Sequence, residues 1–324
     1  MKLDKLWHLW DRAGIFFILV ILMVIFSIIN PDFRKPANLS NILQQCTPIG
    51  IAAVGMTFAI ISGAFDLSVG STMALTACVM VSLISAVGFL PAFLIALALG
   101  FCLGMVNGLI VTKISVPPFI ATLGTLWVYR ALAYIYTQNK PMQSTFPSFT
   151  GWGESFWYVP KLFIVMILCY LVAYFLLYHT PFGRYVFAVG SNRRAAILSG
   201  INVPKVSLFV FGLVGFFGAI AGGALSVRLW SAKADTALGY ELMVIATVVL
   251  GGTSLKGGSG TLAGSFGAAI LFTVIYNAMD MFQVQSYWQK IALGGILLLA
   301  LSLDGLRRKH TIKPAASAQT DTDG

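Results

Sequence analysis

Residues 43–87 read LQQCTPIGIAAVGMTFAIISGAFDLSVGSTMALTACVMVSLISAV. Two apolar runs, about 43–62 and 67–87, flank Ser62-Gly63-Ala64-Phe65-Asp66-Leu67-Ser68-Val69-Gly70-Ser71, and Asp66 is the only charged side chain in the stretch. Each run has about the 20 residues that a helix needs to cross ~30 Å of hydrocarbon. The runs are continuous, whereas barrel strands alternate apolar and polar residues, so they read as helices.

Outward from this pair, similar runs fill the chain at about 14–30, 90–112, 119–137, 161–179, 204–228, 239–255, 260–280 and 287–304. The expectation is an all-α polytopic membrane protein of about ten transmembrane helices (8–10), some short or broken. Residues 1–313 form one transmembrane domain, and the small, polar stretch 314–324 reads as a disordered tail. The basic N-terminus (Lys2, Lys5, Arg12) precedes an apolar run ending at Asn30-Pro31-Asp32, with no small-x-small cleavage site, so it reads as an uncleaved first span.

Composition agrees. The 324 residues are 58% hydrophobic and 10% charged, against about 25% charged in a soluble domain. The net charge of +10 comes from cations beside apolar runs, which makes them topology signals and gives no sign of nucleic-acid binding. With the N-terminus cytoplasmic, Lys113, Arg184, Arg193, Arg194, Lys205, Lys256 and the Arg307-Arg308-Lys309 cluster fall inside, so both termini are expected in the cytoplasm. Cys46, Cys78, Cys102 and Cys169 lie in apolar segments without a CxxC pair and read as small buried hydrophobes; no metal site is expected.

Chemistry-bearing motifs are sparse. A GxxxxGK[ST] loop, HExxH and GxSxG are all missing, so a bond-breaking enzyme is disfavoured. Asp66 has two readings. With Ser68 it caps the next helix, or it contacts a substrate; capping is favoured. Residues 251–260, Gly-Gly-Thr-Ser-Leu-Lys-Gly-Gly-Ser-Gly, are too glycine-rich for comfortable helix. Gly251, Leu255, Gly258 and Ser259 repeat the spacing of Gly63, Leu67, Gly70 and Ser71, a hint of two related halves. Gly63, Gly70, Gly251, Gly252, Gly257 and Gly258 are thus expected to shape helix breaks and close contacts. In residues 183–201, Ser191 or Asn192 is placed to cap a short helix and Gly200 to end it. The 138–160 loop, with Trp152, Trp157 and Tyr158, reads as an interfacial aromatic belt or an external docking surface.

Asn41–Gln45, Ser62–Ser71, Phe119–Leu123, Gly183–Ile201 and Gly239-Tyr240-Glu241-Leu242 leading into Val249–Leu255, in this order along the chain, resemble the permease subunits of bacterial monosaccharide ABC importers of the ribose, arabinose, xylose and galactose class. The resemblance covers about residues 30–305. It implies two permease subunits in the inner membrane, separate ATPase subunits that hold ATP and Mg, a periplasmic sugar-binding protein, and no cofactor on this chain. The family's coupling element corresponds to Asn192, Arg193, Arg194, Ala195, Ala196 and Gly200. Trp10-Asp11, Gly63-Ala64-Phe65-Asp66 where many relatives have Gly-Gly-Ile-Asp, and Met243 where many have Asp lean toward the arabinose branch. A neutral polar cargo calls for a pathway of small polar groups, and the candidates are Asp66, Ser68, Asn107, Thr122, Thr125 and Asn277. Helix–helix hydrogen bonding is an equal reading for each. The alternative function is an ion-coupled secondary sugar transporter.

Overall fold

In a computed structural model, residues 2–292 are described together with Gly294, Gly295 and Leu298. The chain runs as helices α1 (Lys2–Ile29), α2 (Pro36–Ile61), α3 (Val69–Val87), α4 (Phe89–Lys113), α5 (Pro118–Thr137), the single turn α6 (Pro147–Thr150), α7 (Lys161–Tyr178), α8 (Pro181–Ser191), α9 (Arg193–Leu198), α10 (Val203–Leu229), α11 (Tyr240–Leu250) and α12 (Leu262–Met281). Four two-residue strands join them: β1 (Met142–Gln143), β2 (Ser155–Phe156), β3 (Val159–Pro160) and β4 (Ser231–Ala232). Among the described residues, seven helices (α2, α3, α4, α5, α7, α10, α12) are long and apolar enough to cross a bilayer. Gly14–Ile29 within α1, and α11, are shorter apolar helices. A further helix begins at 286, but half of the expected 287–304 span and the whole 314–324 tail lie outside the described residues.

The central element is α10, packed on α2, α3 and α4. Lipid tails give no hydrophobic drive for one apolar helix to leave them for another, so spans associate through close backbone approach. Helix α4 shows how. It buries Ala92, Ala96, Gly100, Gly104 and Gly108, a small residue every four positions, plus Asn107. That stripe lies on α10, where Gly215 meets Gly100 backbone to backbone. Phe93, Leu97, Leu99 and Leu103 pack against the core beside this stripe, and on the far side Leu90, Leu94, Ile95, Val106 and Leu109 are exposed. Cys102 shares that exposed side, contrary to the expectation of burial, because it falls off the small stripe; Cys46, Cys78 and Cys169 are buried.

The spans alternate in direction and leave two functional ends. The hairpin end carries the 138–160 loop. There β2 and β3 pair antiparallel, and β1 pairs antiparallel with β4, tying this loop to the segment after α10. Lys161 braces the hairpin by donating to Glu154 Oε2 (2.9 Å) and the Gly151 carbonyl (2.8 Å). The opposite, linker end carries α8 and α9. The expected span 239–255 is corrected to an eleven-residue helix, α11. It starts late because 233–239 form turns, and it stops at the Gly251-Gly252 cap.

Candidate functional site

The three stretches that stand out in the sequence meet at the linker end. Helices α2 and α11 end in the same way. Ala64 N–H donates to the Ala59 carbonyl (2.9 Å) around Gly63 at φ +80, and Thr253 N–H donates to the Val248 carbonyl (3.2 Å) around Gly252 at φ +88. This six-to-one bond with a left-handed residue is the Schellman cap, which glycine adopts without a Cβ penalty. The end of α2 is joined directly to the glycine-rich segment that follows α11, since Gly258 N–H donates to the Ile61 carbonyl (2.8 Å). Gly190 of α8 lies on both. A methyl group at Gly190 would overlap the Ile61 carbonyl, and Ser191 Oγ donates to the Gly258 carbonyl (3.5 Å).

From this junction the chain projects α9. Asn192 caps it, its side chain accepting from Ala195 N–H (3.0 Å). A third Schellman turn ends it at Gly200 (φ +79), with Ile201 N–H donating to the Ala196 carbonyl (3.0 Å). Ala196 is buried and holds the helix to the bundle. Arg193, Arg194 and Ala195 are exposed, as are Ile197 (56%) and Leu198 (88%). The linker thus presents a short cationic and apolar knob on a backbone-tight base.

A buried polar cluster joins the start of α3 to α4 and α5. Asp66 Oδ1 accepts from Ser68 N–H (2.8 Å) and Ser68 Oγ (2.6 Å), and Asn107 Nδ2 donates to Asp66 Oδ2 (3.1 Å) and Ser68 Oγ (2.8 Å). The Tyr129 hydroxyl lies 3.1 Å from Asn107 Oδ1 and 2.9 Å from the Leu103 carbonyl. The simple capping picture needs correction. Ser68 is the N-cap residue of α3, but no side chain bonds the first turn's N–H groups. The Asp66 carboxylate instead closes a turn onto Ser68, two residues ahead, and fastens it to α4. Thr122 stands beside the cluster, its Oγ1 bonding the Pro118 carbonyl (2.8 Å) and approaching the Phe65 carbonyl (3.4 Å), while Thr125 bonds the Thr122 carbonyl (3.3 Å). Asn277 is elsewhere. It exchanges two amide bonds with Asn38 (2.9 and 3.0 Å), clamping α12 to the start of α2.

Sequence reasoning passed over Arg130. This arginine sits inside α5 with 4% exposure. Its Nη1 donates to the carbonyls of Ala234 (2.6 Å) and Thr236 (2.7 Å), holding the turns between α10 and α11. Arg130 Nε and Glu241 Oε2 are both buried without a hydrogen-bond partner among the described residues. Glu241 Oε2 also rests on Gly70, where an added methyl would overlap it. The available signal was a lone cation in a 119–137 span, which is costly in hydrocarbon and marks function by default.

Residues 38–301 match the family described as "Branched-chain amino acid transport system / permease component". The chain belongs to that permease family. The chain is also similar to the ribose import permease protein of Bacillus subtilis, 39% identical over 91% of this chain and 92% of that protein. The ribose import permease protein of Haemophilus influenzae is 41% identical over 89% of this chain and 91% of its own length. The L-arabinose transport system permease protein of Escherichia coli is 33% identical over 93% of each chain. No solved structure matches. As a permease component the chain is a transport subunit.

Proposed function

We propose that this chain is the membrane permease of an ATP-driven monosaccharide importer in a bacterial inner membrane, carrying a pentose. Identities of 39–41% to ribose permeases against 33% to an arabinose permease move the favoured sugar from arabinose toward ribose. The observation that carries the mechanism is the junction of Gly190, Gly258 and Ile61 beneath the exposed α9. A partner ATPase, holding ATP and Mg, grips α9. Its closure pushes α8 against the end of α2 and the glycine-rich segment between α11 and α12 at once, and rigid spans carry the displacement across the bilayer as alternating access. The hairpin end faces the periplasm and receives the sugar-binding protein; both termini are cytoplasmic, following the lysines and arginines. Two permease copies form the pathway.

The test is purification of the tagged chain in mild detergent with mass spectrometry of its partners, beside sugar uptake in reconstituted vesicles. Stoichiometric recovery of an ATPase, lost in Arg193→Glu/Arg194→Glu with the fold intact, supports the proposal. Uptake that needs no ATP and collapses with a protonophore makes the protein an ion-coupled transporter instead.

A further inference from the structure

At the hairpin end, the last turns of α3 and residues 142–146 enclose a hollow of about 330 Å3. Its polar walls are Ser82 and Ser85 from α3 and Gln143, Ser144 and Thr145 from the loop, with Phe146 at the rim. Every polar group there is a hydroxyl or a carboxamide, and no acidic or basic side chain lines it. Ser144 is buried (7%), while Ser85, Gln143, Thr145 and Phe146 are exposed. Ser82 Oγ lies 2.6 Å from the Tyr136 hydroxyl, which fixes that wall to α5. At roughly 30 Å3 for each water-sized group, the hollow holds about eleven, the size of a pentose or small hexose ring.

The chemistry points to an uncharged polyol. Hydroxyls and amides offer both donors and acceptors, as sugar hydroxyls do. A charged ligand would find no counter-charge among the lining residues, and Val81 and Met142 add apolar wall beside the hydroxyls and the carboxamide, a mixture that matches a sugar's hydroxyls and C–H faces. Phe146 supplies a flat apolar surface for the C–H face of a ring. The hollow's wall is also mechanically connected. Met142 and Gln143 pair with Ala232 and Ser231, and that strand continues into the turns held by Arg130 and then into α11. The other end of α11 is the Gly252 cap at the linker junction. One continuous piece therefore runs from the hollow to the base of the α9 knob.

We propose that this hollow, formed by Ser82, Ser85, Gln143, Ser144, Thr145 and Phe146, receives the monosaccharide at the periplasmic mouth, and that its shape is set through β1, β4 and α11 by the position of the linker. The assignment rests on the importer reading above. The importer, assembled with its ATPase and binding protein in lipid vesicles, provides the test, with ribose as probe. Labelling of Thr145→Cys by a membrane-impermeant maleimide should slow at least threefold when ribose-loaded binding protein and ATP are supplied, relative to binding protein without sugar. Ser85→Leu, which fills the hollow, should cut uptake at least tenfold in protein that still recovers its ATPase. Labelling indifferent to sugar, or full uptake by Ser85→Leu, overturns the assignment while leaving the importer standing. A wild-type assembly that moves no monosaccharide sinks the importer reading and takes this site with it.

Discussion

The Asp66 cluster and the Arg130–Glu241 region both place ionisable side chains inside the bundle and both involve α5, yet they are built on opposite plans. Around Asp66 the carboxylate is fully used, with two bonds to Ser68 and one to Asn107. Around Arg130 the guanidinium binds carbonyls only, and Arg130 Nε and Glu241 Oε2 have no hydrogen-bond partner among the described residues. A satisfied buried network rigidifies what it joins. Unsatisfied buried polar atoms are costly and call for an explanation, such as a bound water, an ion or a functional role. The first region therefore acts as a fixed joint among α3, α4 and α5. The second ties α5 to the turns leading into α11 through two carbonyls alone, and under the proposed mechanism those turns move.

The sharpest way to break this contrast is Asp66→Leu. It strands Ser68 N–H, Ser68 Oγ and the Asn107 amide, and a broken buried charge network costs about 3–5 kcal/mol. Thermal unfolding in detergent should show a large drop, with uptake falling in proportion to folded protein. Uptake lost at unchanged stability would make Asp66 a pathway contact instead. Next in size is Arg130→Ala, which frees two buried carbonyls at about 2–3 kcal/mol. Here uptake should fall further than the loss of folded protein explains, and Arg130→Lys should recover part of it.

Glu241→Gln is smaller again in stability, within about 1 kcal/mol, because no hydrogen bond to Oε2 is lost. It should change uptake rate severalfold while the melting temperature stays nearly constant. An equal, large effect on both would erase the distinction between the two regions. The smallest change is expected from Asn277→Leu. Interhelical polar pairs in membranes average about 0.6 kcal/mol, so losing the bonds to Asn38 should shift the melting temperature slightly and leave uptake at the wild-type level. A selective loss of uptake would return Asn277 to the list of pathway residues.

Much of this was legible in the residues themselves. Apolar runs located the spans because a helix is the structure that satisfies its own backbone in hydrocarbon. Asn192 and Gly200 announced α9, since an Asx side chain and a left-handed glycine act within a few residues of where they stand. The likeness of the two glycine breaks was visible too, but not its register. Spacing pairs Gly63 with Gly251, whereas the caps pair Gly63 with Gly252, because the Schellman turn places its left-handed residue one position after the C-cap and Gly251 has φ −66.

The sequence by itself determined the solvent, the helices, their ends and the exposed linker, all of which follow from local hydropathy and short-range hydrogen bonding. Tertiary structure decided which polar residues belong together. Arg130 finds its carbonyls 104 and 106 residues away, and Asn38 meets Asn277 at a separation of 239. Asp66 turned from a simple helix cap into a three-helix joint only when α4 brought Asn107 beside it. In a bundle held by close backbone contact, the partners of a buried polar group are set by which small-residue stripes fit together, and neighbours along the chain carry no record of that choice.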